Sequence, residues 1–267
     1  MTIQSNNIND LFSIKDKVAL VTGGSRGIGF MIAKAYVENG ATVYITSRTA
    51  AECEGAAEAL SKIGTCTAIP SDVSTEEGRE AIFHRLQKHE GNLDILVNNA
   101  GIALGGDPEA GFEGFPEDAF DKVMAVNAKA PFMLTQKLIG LLEKNATQLN
   151  PGRIINIGSG AGIKVSVVND AGAGSYGPSK ALLHFMTKEW AVNFASRHIT
   201  ANAIAPGLFP SNMTSDVEFQ KKAALTFPIK RIGNASDMAG IAIFLASRAS
   251  AFITGEVIKV DGGYTLL

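Results

Sequence analysis

Short apolar runs alternate with amphipathic stretches along the whole chain. Val18–Thr22, Thr42–Thr46, Cys66–Pro70, Ile95–Asn98, Arg153–Ile157, Thr200–Ile204 and Val257–Val260 are rich in β-branched residues, and most lack polar alternation. Strands of that kind are covered on both faces, as in a parallel sheet. Between them, apolar residues recur at helical spacing in Glu52–Ile63, Thr75–His89, Ala130–Glu143, Ser179–Arg197 and Ala235–Ala246. Ser236 and Asp237 supply a cap and a first-turn acid to the last of these. Seven strands alternating with helices predict an α/β fold, a doubly wound parallel seven-stranded sheet with helices on both faces. No repeat or composition break marks a second unit. Residues 16–267 therefore read as one domain behind a flexible, polar arm, 1–15. Three segments stand out as loops at strand ends, where such sheets bind ligands: Ile102–Pro116, Lys164–Gly174 and Leu208–Phe227.

Composition narrows the field. The 267 residues carry 24 Lys and Arg against 26 Asp and Glu, so no basic excess exists to neutralise a nucleic acid. No apolar run approaches the length needed to cross a bilayer, and the N-terminus lacks the pattern of a signal peptide. Two cysteines, Cys53 and Cys66, make no disulfide framework and fit a cytoplasmic protein. His84, His89, His184 and His198 have no ligand spacing, so no metal is expected.

Chemistry begins after the first strand. Thr22-Gly23-Gly24-Ser25-Arg26-Gly27-Ile28-Gly29 opens a helix, with glycines spaced Gly-x3-Gly-x-Gly. Residues without Cβ let backbone approach a pyrophosphate, and the helix start offers its N–H groups. The second strand ends in Ser47-Arg48 with no carboxylate. An acid there would bind a ribose hydroxyl, whereas Ser47, Arg48 and Arg26 suit a 2′-phosphate, which favours NADP(H) over NAD(H). Tyr176 and Lys180 are four apart and share one face if the long helix begins there, where Pro178 would fit a first turn. A nearby ammonium lowers a phenol's pKa, as acid–base work at neutral pH requires. Ser159 follows the fifth strand, Asn98-Asn99-Ala100-Gly101 ends the fourth, and Asn127 interrupts a helical stretch.

Together with Pro206-Gly207 and the terminal Val260-Asp261-Gly262-Gly263, these motifs resemble the short-chain dehydrogenase/reductase family, in order and over almost the whole chain. The strings Ile154–Ser159, Ser175–Lys180 and Ala205–Thr214 are closest to NADPH-dependent β-ketoacyl reductases of the rhamnolipid-pathway type. The resemblance implies a Rossmann-type fold and reduction of a ketone, such as a 3-oxoacyl thioester. It implies that Tyr176 is the proton donor, that Ser159 orients the carbonyl, and that Lys180 binds the nicotinamide ribose and lowers the Tyr176 pKa. Asn127 would hold a water that relays protons to Lys180. Gly23, Ser25, Gly27, Ile28 and Gly29 would form the pyrophosphate loop. Asp72-Val73 would contact the adenine, and Asn99, Ala100 and Gly101 would line the cofactor cleft. Pro206, Gly207 and Ser211 would hold the carboxamide, and Leu208–Phe227 would be a mobile lid. The resemblance further implies a homotetramer or homodimer, joined partly through Ala130–Glu143 and the 180s helix. The apolar end Tyr264–Leu267 is expected to be docked.

One departure concerns the substrate. Ser159 and Tyr176 are 17 positions apart, several more than usual in the family, and the extra length falls in Lys164–Gly174. A polyol, steroid or secondary-metabolite carbonyl is therefore an alternative substrate. A non-catalytic NADP-binding regulator is a remote alternative, because such a protein is expected to lack Tyr176 or Lys180.

Overall fold

The computed structural model describes residues 6–105, 112–165, 174–211 and 216–267. Its strands are β1 (Val18–Thr22), β2 (Thr42–Ser47), β3 (Cys66–Pro70), β4 (Ile95–Asn98), β5 (Gly152–Ile157), β6 (Ile199–Pro206) and β7 (Val257–Val260). They form one parallel sheet in the order β3-β2-β1-β4-β5-β6-β7. The order reverses beside β1, and the crevice at that switch point lies at the carboxyl ends of the strands.

The helices are α1 (Ile8–Leu11), α2 (Gly27–Glu38), α3 (Ala50–Ser61), α4 (Glu76–His89), α5 (Glu117–Met124), α6 (Ala130–Glu143), α7 (Tyr176–Phe194), α8 (Val217–Thr226) and α9 (Ala235–Ala246). Alternate strand residues point to opposite faces. In β1, Ala19 and Val21 join a core with Ile32 and Tyr36 of α2, Leu60 of α3 and Met238 of α9. Val18 and Leu20 join another with Ile82 of α4, Leu138 of α6 and Leu183 of α7. Each such side chain removed from water contributes about 1.5–3 kcal/mol. The two cores explain why the strands read as unbroken apolar runs.

The arm expected over 1–15 is shorter than its assigned range. Ile14 is fully buried, and the Phe12 ring lies 6.2 Å from Phe244. Three described helices escape the apolar pattern: α1, with no buried residue, α5 and α8. In α5 only Ala119 and Val123 are buried, and in α8 nothing is. Instead α8 starts on Asp216, whose carboxylate accepts the N–H groups of Glu218 and Phe219. The long helix starts at Tyr176 rather than Ser179, because Pro178 falls where no internal acceptor is needed. At the chain end, Tyr264–Leu266 forms a single 3-10 turn. Tyr264 is half-buried, but Leu266 and Leu267 are exposed, so only the first half of the expected docked tail is docked.

Candidate active site

A cavity of about 770 Å³ runs along the carboxyl ends of the strands. One end is built from backbone. Gly23 and Gly27 adopt left-handed conformations, with φ of 63° and 55°, that residues with a Cβ rarely take. A Cβ on Gly29 would overlap the Gly23 carbonyl oxygen and Asn99 Nδ2. Arg26 precedes α2 in an extended conformation and gives it no side-chain cap, so the first-turn N–H groups are left for a ligand. Thr22 knits the loop to the turn after β4. Its Oγ1 donates to the Val97 carbonyl at 3.2 Å and accepts the N–H groups of Asn99 and Ala100 at 2.9 and 3.0 Å. Asn99 Nδ2 donates back to the carbonyls of Thr22 and Gly23, at 2.8 and 3.1 Å.

Beyond the loop, Ser25, Arg26, Ser47, Arg48, Asp72 and Val73 line the same end. Glu52, in the first turn of α3, also lines it and pairs with Arg26 at 3.4 Å. Asp72 spends one carboxylate oxygen on the N–H and hydroxyl of Ser74, which fixes the turn after β3. On the opposite wall, Pro206 closes the β6 ladder, and the Gly207 N–H donates to Val260 at 3.0 Å. Ser211 sits over the glycine loop, its Cβ 3.5 Å from where a Gly27 Cβ would be.

Tyr176 and Lys180 share one face of α7 in mid-cavity, with Lys180 Nζ 5.7 Å from the Tyr176 ring centre. Lys180 Nζ donates to the Ile157 carbonyl at 2.8 Å, and burial pushes its pKa down to about 8. Burial raises the pKa of Tyr176, and the Ser159 hydroxyl pulls it back as a hydrogen-bond partner. Ser159 offsets that rise only in part, and Lys180 Nζ stands over the Tyr176 ring while bonded to the Ile157 carbonyl. Ser159 opens a 3-10 turn, Gly160–Gly162, with its Oγ accepting the Ala161 N–H at 3.1 Å.

Asn127 does not line the cavity. It is fully buried in a wide π turn, Ala125–Lys129, between α5 and α6. Its Oδ1 accepts the Ile102 N–H at 2.8 Å, and its Nδ2 donates to the Ile102 carbonyl and Ser179 Oγ at 2.9 and 3.1 Å. Both amide hydrogens are used, so its side chain clamps the loop after β4. Gly101 lies between these groups, where a Cβ would be 3.3 Å from both Asn127 Oδ1 and Lys180 Nζ.

The far end is made of side chains. Leu208, Phe219, Ala223, Thr226, Phe227 and Tyr264 line it, with Lys222. Phe227 and Tyr264 stack at 5.1 Å, and Lys164 Nζ stands 4.8 Å above the Tyr264 ring. Asp261 holds the terminal turn by accepting the N–H groups of Gly263 and Thr265 and the Thr265 hydroxyl.

Residues 23–265 match the family model described as enoyl-(acyl carrier protein) reductase. The rhamnolipids biosynthesis 3-oxoacyl-[acyl-carrier-protein] reductase of Pseudomonas aeruginosa is 44% identical over 259 residues, covering 96% of this chain and 98% of the relative. The chain belongs to the short-chain dehydrogenase/reductase family. Another relative, the 5-keto-D-gluconate 5-reductase of Escherichia coli, is 33% identical over 96% of this chain and 98% of its own. Among solved structures, the Pseudomonas aeruginosa RhlG/NADP active-site complex superposes with a TM-score of 0.90 at 43% identity, covering 96% of this chain and 99% of that one.

As a short-chain dehydrogenase/reductase, the chain brings nearly all the residues singled out in its sequence to one cavity. Ile28, Ala100 and Gly101 line it with those already placed, while Gly29 and Asn127 lie in its supporting wall. Sequence reasoning gave no site role to Glu52 or Tyr264 and reached Phe227 only as the end of the Leu208–Phe227 segment, whose Leu208, Phe219, Lys222, Ala223, Thr226 and Phe227 line the cavity. Glu52 reads as an ordinary first-turn acid, and Phe227 and Tyr264 belong to no motif. Residues 106–111, 166–173 and 212–215, which carry much of the two long loops and of the Ala205–Thr214 string, lie outside the described residues. Among the described residues, no cluster of His, Cys, Asp or Glu could hold a metal ion, and no helix is long and apolar enough to cross a membrane.

Proposed function

We propose that this protein is an NADPH-dependent ketoreductase acting on 3-oxoacyl thioester-like substrates, with Tyr176 as proton donor. The observation that carries the reading is the position of the Tyr176 and Ser159 hydroxyls. They stand together between an arginine-bearing end and an apolar one. The cavity fits the dinucleotide: a glycine cradle with no room for a Cβ, an uncapped helix start for the pyrophosphate, and Ser47, Arg48 and Arg26 for a 2′-phosphate. Bound NADPH supplies the hydride that reduces the carbonyl carbon. Ser159 donates a hydrogen bond to the carbonyl oxygen, and Tyr176 delivers the proton that completes the alcohol. Lys180 holds the nicotinamide ribose and, bonded to the Ile157 carbonyl but 5.7 Å from the Tyr176 ring centre, keeps a positive charge close to the phenolate left behind. Pro206, Gly207 and Ser211 bracket the carboxamide.

Apart from Lys180, the charges in the described lining are Arg26, Arg48, Glu52 and Asp72 at the nucleotide end and Lys222 on α8. The Phe227–Tyr264 wall suits an acyl chain better than a polyol, which needs many polar partners. Phe132 of α6 with Leu182, Phe185 and Val192 of α7 forms an exposed apolar face, and we assign it to homo-oligomer assembly. The free thiols Cys53 and Cys66 favour a cytoplasmic setting.

The test is NADPH oxidation against a 3-oxoacyl thioester series, cyclic and aromatic ketones and a sugar-acid ketone, with NADH in parallel. Turnover of the thioesters with NADPH, rising with chain length, is expected. Turnover confined to the sugar-acid or to bulky ketones overturns the substrate assignment, and a preference for NADH overturns the cofactor assignment.

A further inference from the structure

Tyr176, Lys180 and His184 follow one another at four-residue spacing on α7, so they share a face. The first two line the cavity, and His184 lies one turn deeper, 6% exposed, behind the turn that displays Ser159. Its Nε2 accepts the Ser159 N–H at 3.4 Å. The Gly162 backbone lies against the ring and favours its protonated form, a smaller effect than the burial that opposes it. The turn is wrapped around the imidazole. A Cβ on Gly158 would fall on His184 Nε2, and one on Gly162 would come within 2.9 Å of Cε1. On the other side of the same turn, a Cβ on Gly160 would be 3.2 Å from Thr265 Cγ2. The turn is thus gripped between α7 and the terminal turn, and glycines admit both neighbours.

We propose that His184 is a positioning residue of the reduction, the template against which the Ser159–Gly162 turn is folded and the Ser159 hydroxyl aimed. The proposal rests on the ketoreductase reading. The logic is one of polarity. The first N–H groups of a short turn have no internal acceptor. The Ser159 N–H therefore needs an external one, and Ser159 Oγ is itself committed to the Ala161 N–H. A neutral imidazole offers one lone pair and one N–H, and the lone pair matches the amide donor. An imidazolium would offer two donors and repel the amide. Burial, with the positive charges of Lys180 and Lys188, pushes the His184 pKa down to about 4, so the lone pair is present throughout the neutral range.

The test compares His184→Phe, which keeps a ring and removes both nitrogens, with His184→Gln, which keeps one acceptor and one donor. Each is made alone and with Ser159→Ala. We expect His184→Phe to lower kcat about ten- to a hundredfold while the Kd for NADPH stays within about twofold. His184→Gln is expected to recover most of the loss. In the Ser159→Ala background the Phe substitution should lower kcat by less than about twofold, because the group it aims is gone. In the NADPH-free protein, the Ser159 amide should exchange its hydrogen at least about tenfold faster in His184→Phe, with the β5 amides unchanged. A kcat within about twofold of wild type, or an equal loss with and without Ser159, overturns the proposal. If wild type reduces no ketone, the ketoreductase reading fails, and Ser159 amide exchange alone decides on His184. If His184→Phe does not fold, nitrogen NMR of wild type decides. A neutral ring protonated at Nδ1 supports the role, and a ring protonated at Nε2 contradicts it.

Discussion

The two ends of the cavity solve different problems with different material. At the nucleotide end, main chain faces the ligand, and the loop is pinned by Thr22 and Asn99 through five hydrogen bonds of 2.8–3.2 Å. At the substrate end, aromatic and aliphatic side chains face the ligand, borne by α8, the Phe227 region and Tyr264 of the terminal turn. A backbone site has almost no freedom to vary, because a single Cβ collides. A side-chain site can be rebuilt one residue at a time while the fold stays fixed. That contrast explains how relatives described as reducing acyl thioesters and sugar acids share this framework.

The strongest test of the contrast is Gly29→Ala. The added methyl overlaps the Gly23 carbonyl and Asn99 Nδ2, so the loop must open. We expect NADPH affinity, followed by fluorescence titration, to fall by about a hundredfold or more. An unchanged Kd would mean that the loop is far softer than its packing.

Arg48→Asp comes next. Removing a charge-assisted partner of the 2′-phosphate and adding a carboxylate for the ribose hydroxyls should shift the ratio of kcat/KM for NADPH over NADH by about ten- to a hundredfold toward NADH. A ratio unmoved by the substitution would assign phosphate recognition to Arg26 alone.

At the other end, Phe227→Ala removes half of the Phe227–Tyr264 stack. The expected result is a KM for an apolar ketone about three- to tenfold higher, with the Kd for NADPH unchanged. Equal effects on both ligands would show that the two ends are not separable.

The remaining prediction concerns stability, not ligand binding. Lys180 titrates at about 8 when folded, against 10.5 ordinarily. Between those values the unfolded chain binds more protons, so this group makes stability rise with pH across that window; below pH 8 the folded state bears the full penalty of the buried ammonium. Lys180→Met should therefore be about 1–3 kcal/mol more stable than wild type at neutral pH, net of the lost bond to Ile157. Thermal melts should show that advantage shrinking from pH 8 toward 10.5. A variant no more stable than wild type at neutral pH would mean the ammonium is better solvated than its burial implies.

The same contrast governs what the sequence discloses. Backbone sites leave a mark because only glycine meets their demands, so Gly23, Gly27 and Gly29 were readable, as was the Tyr176–Lys180 spacing that any helix enforces. The strands were readable because both faces of each are buried. The substrate end was not, because Phe227 and Tyr264 gain their meaning only when β6 and the terminal turn fold side by side. α8 was missed because its apolar residues, among them Val217, Phe219 and Leu225, face no core and so form no helical stripe that burial would impose. Asn127 was found, but its partners were not, since a π turn has no spacing to read. The direction of Lys180 could not be read either, because its bond to the Ile157 carbonyl links residues 23 apart in sequence.

The most direct test of the account pairs two readings on one variant, Tyr176→Phe: NADPH affinity by fluorescence and NADPH-dependent reduction of a 3-oxoacyl thioester by absorbance. The account predicts an affinity within about twofold of wild type and turnover lower by about a thousandfold, since only the proton donor is gone. A variant that keeps more than about a tenth of the wild-type rate would contradict it, because a general acid supplies far more than that.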